Sequence, residues 1–223
     1  MKGGKMDEKS VLKIFKEVGA IITDSHIVYT SGRHGTAYIN KDAVYPYTEK
    51  IKELCEKIAE YFFYHVSKDI HVVIAPAIGD VILSQWVTDH LTYLKGGPYG
   101  GRVLSVYAEK AEDGKTFIIK RGYDKLIPGK KVLVVEDILT TGGSAKKVIE
   151  ATRALGGNVV GLGVLCNRGG ITPQDVGYVP ELFALVNIKM DSWEKKDCPL
   201  CKKDIPVNTD VGKGREFLAN KDK

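Results

Sequence analysis

The sequence predicts an α/β fold with a mainly parallel, doubly wound sheet, and three observations carry that prediction. From residue 70 onward, short apolar runs alternate with helical patterns, a rhythm that builds βαβ units with right-handed crossovers. The run Lys131–Val135 is an apolar strand that leads into a Gly/Thr loop and then a helix, the arrangement in which open sheets bind ligands. The length of 223 residues, 43% of them hydrophobic, suits one α/β domain with appended terminal segments.

The elements follow in order. Val11, Ile14, Phe15 and Val18 share one face of a helix over 10–18 that stops at Gly19. Residues 22–47 are rich in turn formers and in β-branched or aromatic residues, which predicts short strands in a small N-terminal hood. A second helix over 48–65 places Ile51, Leu54, Cys55, Ile58 and Phe62 at helical spacing. A strand over 71–75 turns at 77–80 into a helix over 81–94, closed by Lys95-Gly-Gly-Pro98. Strands over 102–108 and 116–120 flank a charged turn at 109–115, and strands over 158–165 and 182–188 complete the sheet. Between them lies a helix with Ala145, Val148, Ile149, Thr152 and Leu155 on one face, ending at Gly156-Gly157. The chain therefore divides into a helix and hood (1–45), an α/β core (46–190) and a polar tail with a CxxC pair (191–223).

Composition excludes several classes. No run approaches the length of apolar chain that spans a bilayer, and MKGGKMDEKS has no apolar segment behind its basic start, so neither a membrane span nor a signal peptide is expected. Four cysteines do not read as a secreted disulfide framework, and a reducing cytoplasm fits them. The formal charge of +5 favours a polyanionic substrate. Its basic residues are scattered among nearly as many acids, so no nucleic-acid arm stands out. Cys198-Pro-Leu-Cys201 supplies half of a zinc ligand set, which a partner subunit's tail would have to complete; otherwise the thiols are simply free. The histidines show no mutual spacing that suggests a metal or nucleophilic site.

The strongest chemical signal runs through Glu136, Asp137, Ile138, Leu139, Thr140, Thr141, Gly142, Gly143 and Ser144. Glycines let the backbone approach an anion, the following helix aims N–H groups at it, and the hydroxyls add donors. Such a loop suits a phosphate monoester. Glu136 and Asp137 cannot bond that phosphate, so ribose hydroxyls or a cation such as Mg2+ are their expected partners. The alternative is a βα turn whose Gly and Thr merely cap the helix. The Gly-Lys-Ser/Thr ending of a Walker A loop is missing.

This segment resembles the phosphoribosyl pyrophosphate (PRPP) motif of the type I phosphoribosyltransferases. The resemblance implies that family's fold and the loss of pyrophosphate from PRPP as a base nitrogen attacks the ribose. It also implies that Glu136 and Asp137 act catalytically on the ribose hydroxyls, that 140–144 hold the phosphate, and that Mg2+ is the cofactor. Ala75-Pro-Ala-Ile78-Gly79-Asp80 is similar to the family's pyrophosphate loop, with Asp80 where Gly is usual.

Two further segments are similar to the orotate phosphoribosyltransferases, in the Thermus-type subgroup. Ser31–Asn40 matches their N-terminal segment, which implies Tyr38 as the ring-stacking aromatic, with Ile39 in place of a second one and Thr30 where a Lys is common. Asn167-Arg168 stands where the family has Asp-Arg, which implies that Arg168 clasps the orotate carboxylate, beside Thr140. Arginine offers a planar fork for such an anion. The mobile catalytic loop departs most from the family pattern. Lys110 is the expected loop lysine on the departing pyrophosphate, with Lys115, Lys120 and Arg121 nearby. The resemblance further implies a homodimer with shared active sites. A purine-type phosphoribosyltransferase and a PRPP-sensing regulator without catalysis remain alternatives.

Overall fold

The computed structural model describes residues 8–29, 31–97 and 100–220. Thr30 and Pro98, on which two of the expectations above fall, lie outside them, as does most of the MKGGKMDEKS start.

In chain order the elements are helix α1 (Glu8–Glu17), strands β1 (Ile21–Ile22), β2 (Ile27–Val28), β3 (His34–Gly35) and β4 (Tyr38–Ile39), helix α2 (Thr48–His65), strand β5 (Val72–Pro76) and helix α3 (Val81–Leu94). Strands β6 (Leu104–Lys110), β7 (Phe117–Ile118) and β8 (Lys131–Leu139) follow, then helix α4 (Gly143–Ala154) and strands β9 (Asn158–Asn167), β10 (Leu182–Asn187) and β11 (Ser192–Trp193). Two short helices, α5 (Pro199–Lys202) and α6 (Gly214–Ala219), close the list.

Compactness divides the chain into two units, residues 1–11 with 47–188 and residues 12–46 with 189–223. The first unit is built on a six-stranded sheet of order β10-β9-β8-β5-β6-β7, parallel throughout except for the β6–β7 hairpin. Parallel strands buried on both faces should be continuously apolar, and Val72–Pro76 and Val132–Val135 are buried without interruption. Helices α2 and α3 pack together on one side, and α4 covers the other through Ala145, Val148 and Ile149. α2 sits close to β9 because Gly161 and Gly163 leave room for it. A Cβ on Gly161 would lie 2.4 Å from Phe62 Cε1, and one on Gly163 would lie 2.5 Å from Ile58 Cγ2.

Helices α2 and α3 span the predicted residues. β8 runs further than predicted, to Leu139, so Glu136 and Asp137 sit within a nine-residue strand rather than beyond its end. The reason is the neighbouring strand: β9 keeps pairing, with Glu136 opposite Val164, Ile138 opposite Cys166 and Leu139 opposite Asn167. Lys110 likewise belongs to β6, paired with Phe117, instead of to the charged turn. That turn is closed by Asp113, whose Oδ1 accepts the N–H groups of Lys115 and Thr116 at 2.8 and 2.9 Å.

The second unit combines a β1–β4 ribbon with a three-stranded sheet of order β11-β3-β2. β11, from the far end of the chain, pairs Trp193 with His34 and Ser192 with Gly35. The segment read as a polar tail thus supplies a strand and two helical turns to this unit. Among its buried residues are His26, His34 and Cys198.

Candidate active site

The carboxyl end of β8 organises the site. Gly142 precedes α4 with φ +71°, a conformation that costs an L side chain. A Cβ there would also stand 2.8 Å from Val176 Cγ1 and 3.2 Å from Ile171 Cγ2. Those two side chains fix the loop from below, and α4 begins at once with Lys146 N–H donating to Gly142 O. A helix start leaves N–H groups without intrahelical acceptors and carries a partial positive charge. Thr140 and Thr141 are exposed and Gly143 and Ser144 half-buried at that start. The hydroxyl of Thr141 accepts from Gly143 N–H at 3.4 Å.

One strand turn earlier, Glu136 and Asp137 are buried. The structure adds a third acid that sequence reading treated only as an odd loop residue. Asp80 is 3% exposed, does not cap the helix it precedes, and joins the pair. One carboxylate oxygen from each of Asp80, Glu136 and Asp137 lies within 4.8 Å of the others. Three buried carboxylates that close repel one another, and hard oxygen donors in such a group suit Mg2+. The signal available in the sequence was an acid at the strand-to-helix turn of β5, one strand over from β8.

Ile138 and Leu139 behave as backbone. Ile138 N–H donates to Asp137 Oδ1 at 2.5 Å, and Leu139 O accepts from both Arg168 N–H and Gly169 N–H at 3.0 Å. The turn after β9 is therefore docked on the end of β8. Asn167 closes that turn with its side-chain amide: Nδ2–H donates to Ile171 O at 2.8 Å, and Oδ1 accepts from Ile171 N–H at 3.0 Å. An Asp there could accept but not donate. Arg168 projects half-buried from the turn, and its charge acts on the Cys166 thiol together with that of Asp137. Burial pushes that thiol up to about 12, Arg168 opposing and Asp137 adding to the rise. Cys166 is thus no nucleophile at neutral pH.

Beside the β5 turn lies a cavity of about 860 Å³, lined by Ala77, Ile78, Val81, Ile82, Tyr107, Glu109, Lys110 and Arg121. Ile78 is 90% exposed, the Ala77–Ile78 peptide is cis, and Gly79 is half-buried next to it. Arg121 lies 6.0 Å from the Tyr107 ring centre and bonds Glu109 Oε1 through Nε at 2.5 Å. That bond raises the arginine further above its ordinary range. Lys110 enters the same wall from the end of β6. Lys115 stands apart from this wall, in the turn that Asp113 closes, and Lys120 follows β7.

In the second unit, Tyr38 is half-buried and Ile39 buried, paired in β4 with Ile22 and Ile21 respectively. Cys198 and Cys201 lie in that unit as well, in contact with His26.

The sequence matches the phosphoribosyl transferase domain family over residues 46–197. Orotate phosphoribosyltransferase of Chlorobium phaeobacteroides is 33% identical over 206 residues, covering 91% of this chain and 95% of its own. That of Pelotomaculum thermopropionicum is 36% identical over 202 residues, covering 91% and 96%. Among solved structures, orotate phosphoribosyltransferase from Aeropyrum pernix superposes with a TM-score of 0.60 at 21% identity, over 79% of this chain and 93% of that one.

Proposed function

The chain belongs to the orotate phosphoribosyltransferases, and from that premise we propose that it joins orotate to the phosphoribosyl group of PRPP, releasing pyrophosphate. It is a pentosyltransferase. A nitrogen of orotate forms a bond to the ribose carbon as the carbon–oxygen bond to pyrophosphate breaks. The observation that carries the reading is the end of β8, where buried Glu136 and Asp137 lead directly into a fixed loop at a helix start.

Each group then has a task. The N–H groups at the start of α4, with the hydroxyls of Thr140, Thr141 and Ser144, hold the phosphate monoester. Glu136 and Asp137 accept from the ribose hydroxyls, contacts of the charge-assisted kind. The carboxylates of Asp80, Glu136 and Asp137 would hold Mg2+, which would supply positive charge for the leaving pyrophosphate. Arg121 faces the cavity that Ile78 also lines, where it stabilises charge that builds on pyrophosphate, and Lys110 supplies the same charge across a dimer. Arg168 clasps the orotate carboxylate and Tyr38 stacks on the ring. The reading includes a homodimer in which Lys110 serves the partner's site, and a cytoplasmic location. Among the described residues no helix is long and apolar enough to cross a membrane.

A base panel tests the function. PRPP and Mg2+ are supplied with orotate, uracil, adenine, guanine or xanthine, and pyrophosphate release is followed. Release with orotate alone is expected. Release with a purine would give the chain a different base, and no release with any base would make it a PRPP-binding regulator.

A further inference from the structure

The second unit contains a cluster that phosphoribosyl transfer does not use. His26 stands at the entry to β2, His34 on β3, and Cys198 and Cys201 at either end of the first turn of α5. One ligand atom from each of the four lies within 4.8 Å of the other three. His26 Nε2 is 2.8 Å from His34 Nδ1 and 3.6 Å from each of Cys198 Sγ and Cys201 Sγ. Cys201 Sγ is 3.3 Å from His34 Nδ1. His26, His34 and Cys198 are almost fully buried.

Hydrogen bonding alone serves this cluster poorly. Ile205 O lies 2.6 Å from His26 Nδ1, and a carbonyl only accepts, so the proton of neutral His26 is on Nδ1. Nε2 then holds a single lone pair, and it is approached by a second imidazole and two sulfurs at once. Four donor atoms converging on one point are what a cation requires, and the carbonyl on His26 Nδ1 is the outer contact that fixes a ligating histidine.

We propose that His26, His34, Cys198 and Cys201 form a structural Zn2+ site. Two thiolates with two imidazoles in a closed set of four select zinc over the hard Mg2+ of the carboxylate group. Tetrahedral zinc with bonds of about 2.0–2.3 Å sets its ligand atoms about 3.3–3.8 Å apart. The three nitrogen–sulfur distances already fall in or near that range, and the nitrogen–nitrogen pair opens by about half an ångström. Binding releases the two thiol protons and leaves a site of zero net charge. The ion ties the β2–β3 hairpin to a turn 172 positions away from His26. A unit of this size has a small core and gains most from such a clip. The site does not depend on the reading of the active site.

The test uses the full-length chain expressed with zinc in the medium and purified under reducing conditions. Elemental analysis should find about one zinc per chain, falling below about a tenth in Cys198→Ser/Cys201→Ser and unchanged in Cys166→Ser. Cobalt added to chelator-stripped protein should give the intense visible bands of a tetrahedral site and a thiolate charge-transfer band in the near ultraviolet. Stripping should lower the thermal midpoint by more than about 5 °C, and zinc should restore it. The cobalt and stripping experiments use only the unaltered chain, so a misfolded double variant does not block the test. Zinc-free protein that takes up no cobalt, an octahedral cobalt spectrum, or a Cys198–Cys201 disulfide persisting in reductant would each overturn the proposal.

Discussion

Replacing Gly142 by alanine probes the loop at the head of α4 most directly. At φ +71° an L residue pays about 1–2 kcal/mol. The new methyl would stand 2.8 Å from Val176 Cγ1 and 3.2 Å from Ile171 Cγ2, and overpacking of that kind costs about 1–3 kcal/mol. The loop can stay in place, and the cost then appears as lost stability. It can also shift, and the cost then appears as weakened phosphate binding. The two losses together should therefore reach about 2–5 kcal/mol, however they are divided. Gly170→Ala is the control, because its φ is +63° but nothing lies within 4 Å of the new methyl. It should cost only the backbone share, about 1–2 kcal/mol, with PRPP binding unchanged. Denaturant midpoints give the stability, and KM for PRPP with kcat/KM gives the binding. If Gly142→Ala loses no more than the control by both measures, the loop is not held by Ile171 and Val176, and its role as a rigid phosphate cradle fails.

Four other outcomes can be measured. Arg168→Ala should lose roughly 30- to 150-fold in kcat/KM for orotate, the equivalent of about 2–3 kcal/mol, with little change for PRPP; Arg168→Lys should recover only part. Unchanged orotate kinetics would remove the base assignment. Asp137→Asn should keep the fold but cut turnover by about 10- to 150-fold. Mixing those chains with Lys110→Ala chains should restore activity through hybrid dimers; exchange of subunits without rescue would put Lys110 in its own chain's site or outside catalysis. His90, on α3, is packed near Glu56 and Glu60 of α2. Burial lowers its pKa, as does Lys57 more weakly, while Glu56, Glu60 and Asp89 pull the other way. The unfolded chain therefore takes the proton more readily, so stability should fall as pH drops below about 6.5. In His90→Gln that part of the slope should be shallower, and equal slopes in unfolding titrations would refute it.

What could be read from the sequence depended on how local the signal was. α2 and α3 were legible to the residue because helical spacing and their flanking turns are contained in the segment itself. The end of β8 was not, since Glu136 and Asp137 look like loop residues until β9 is set beside them. The phosphate loop was legible because its glycines, hydroxyls and helix start are consecutive. Asp80 was not, because its neighbours Glu136 and Asp137 come from another strand. His26, His34, Cys198 and Cys201 carry no shared periodicity, and it takes long-range contacts such as the pairing of β11 with β3 and of His26 with Val207 to bring them together.

That pairing has a consequence for synthesis. Residues 12–46 are synthesised before 189–223, which complete the same unit. Until then Ile27 and Val28 lack the segment around Gly212 and Lys213 that lies against them, and β3 waits with one edge unpaired. Contacts between such distant positions close slowly, and open strand edges invite wrong partners. The sheet unit can nucleate meanwhile from its own consecutive βα pieces. Residues 12–46 are thus made well before the segment that completes their unit, and the open edge of β3 is the part of that intermediate most exposed to wrong pairing.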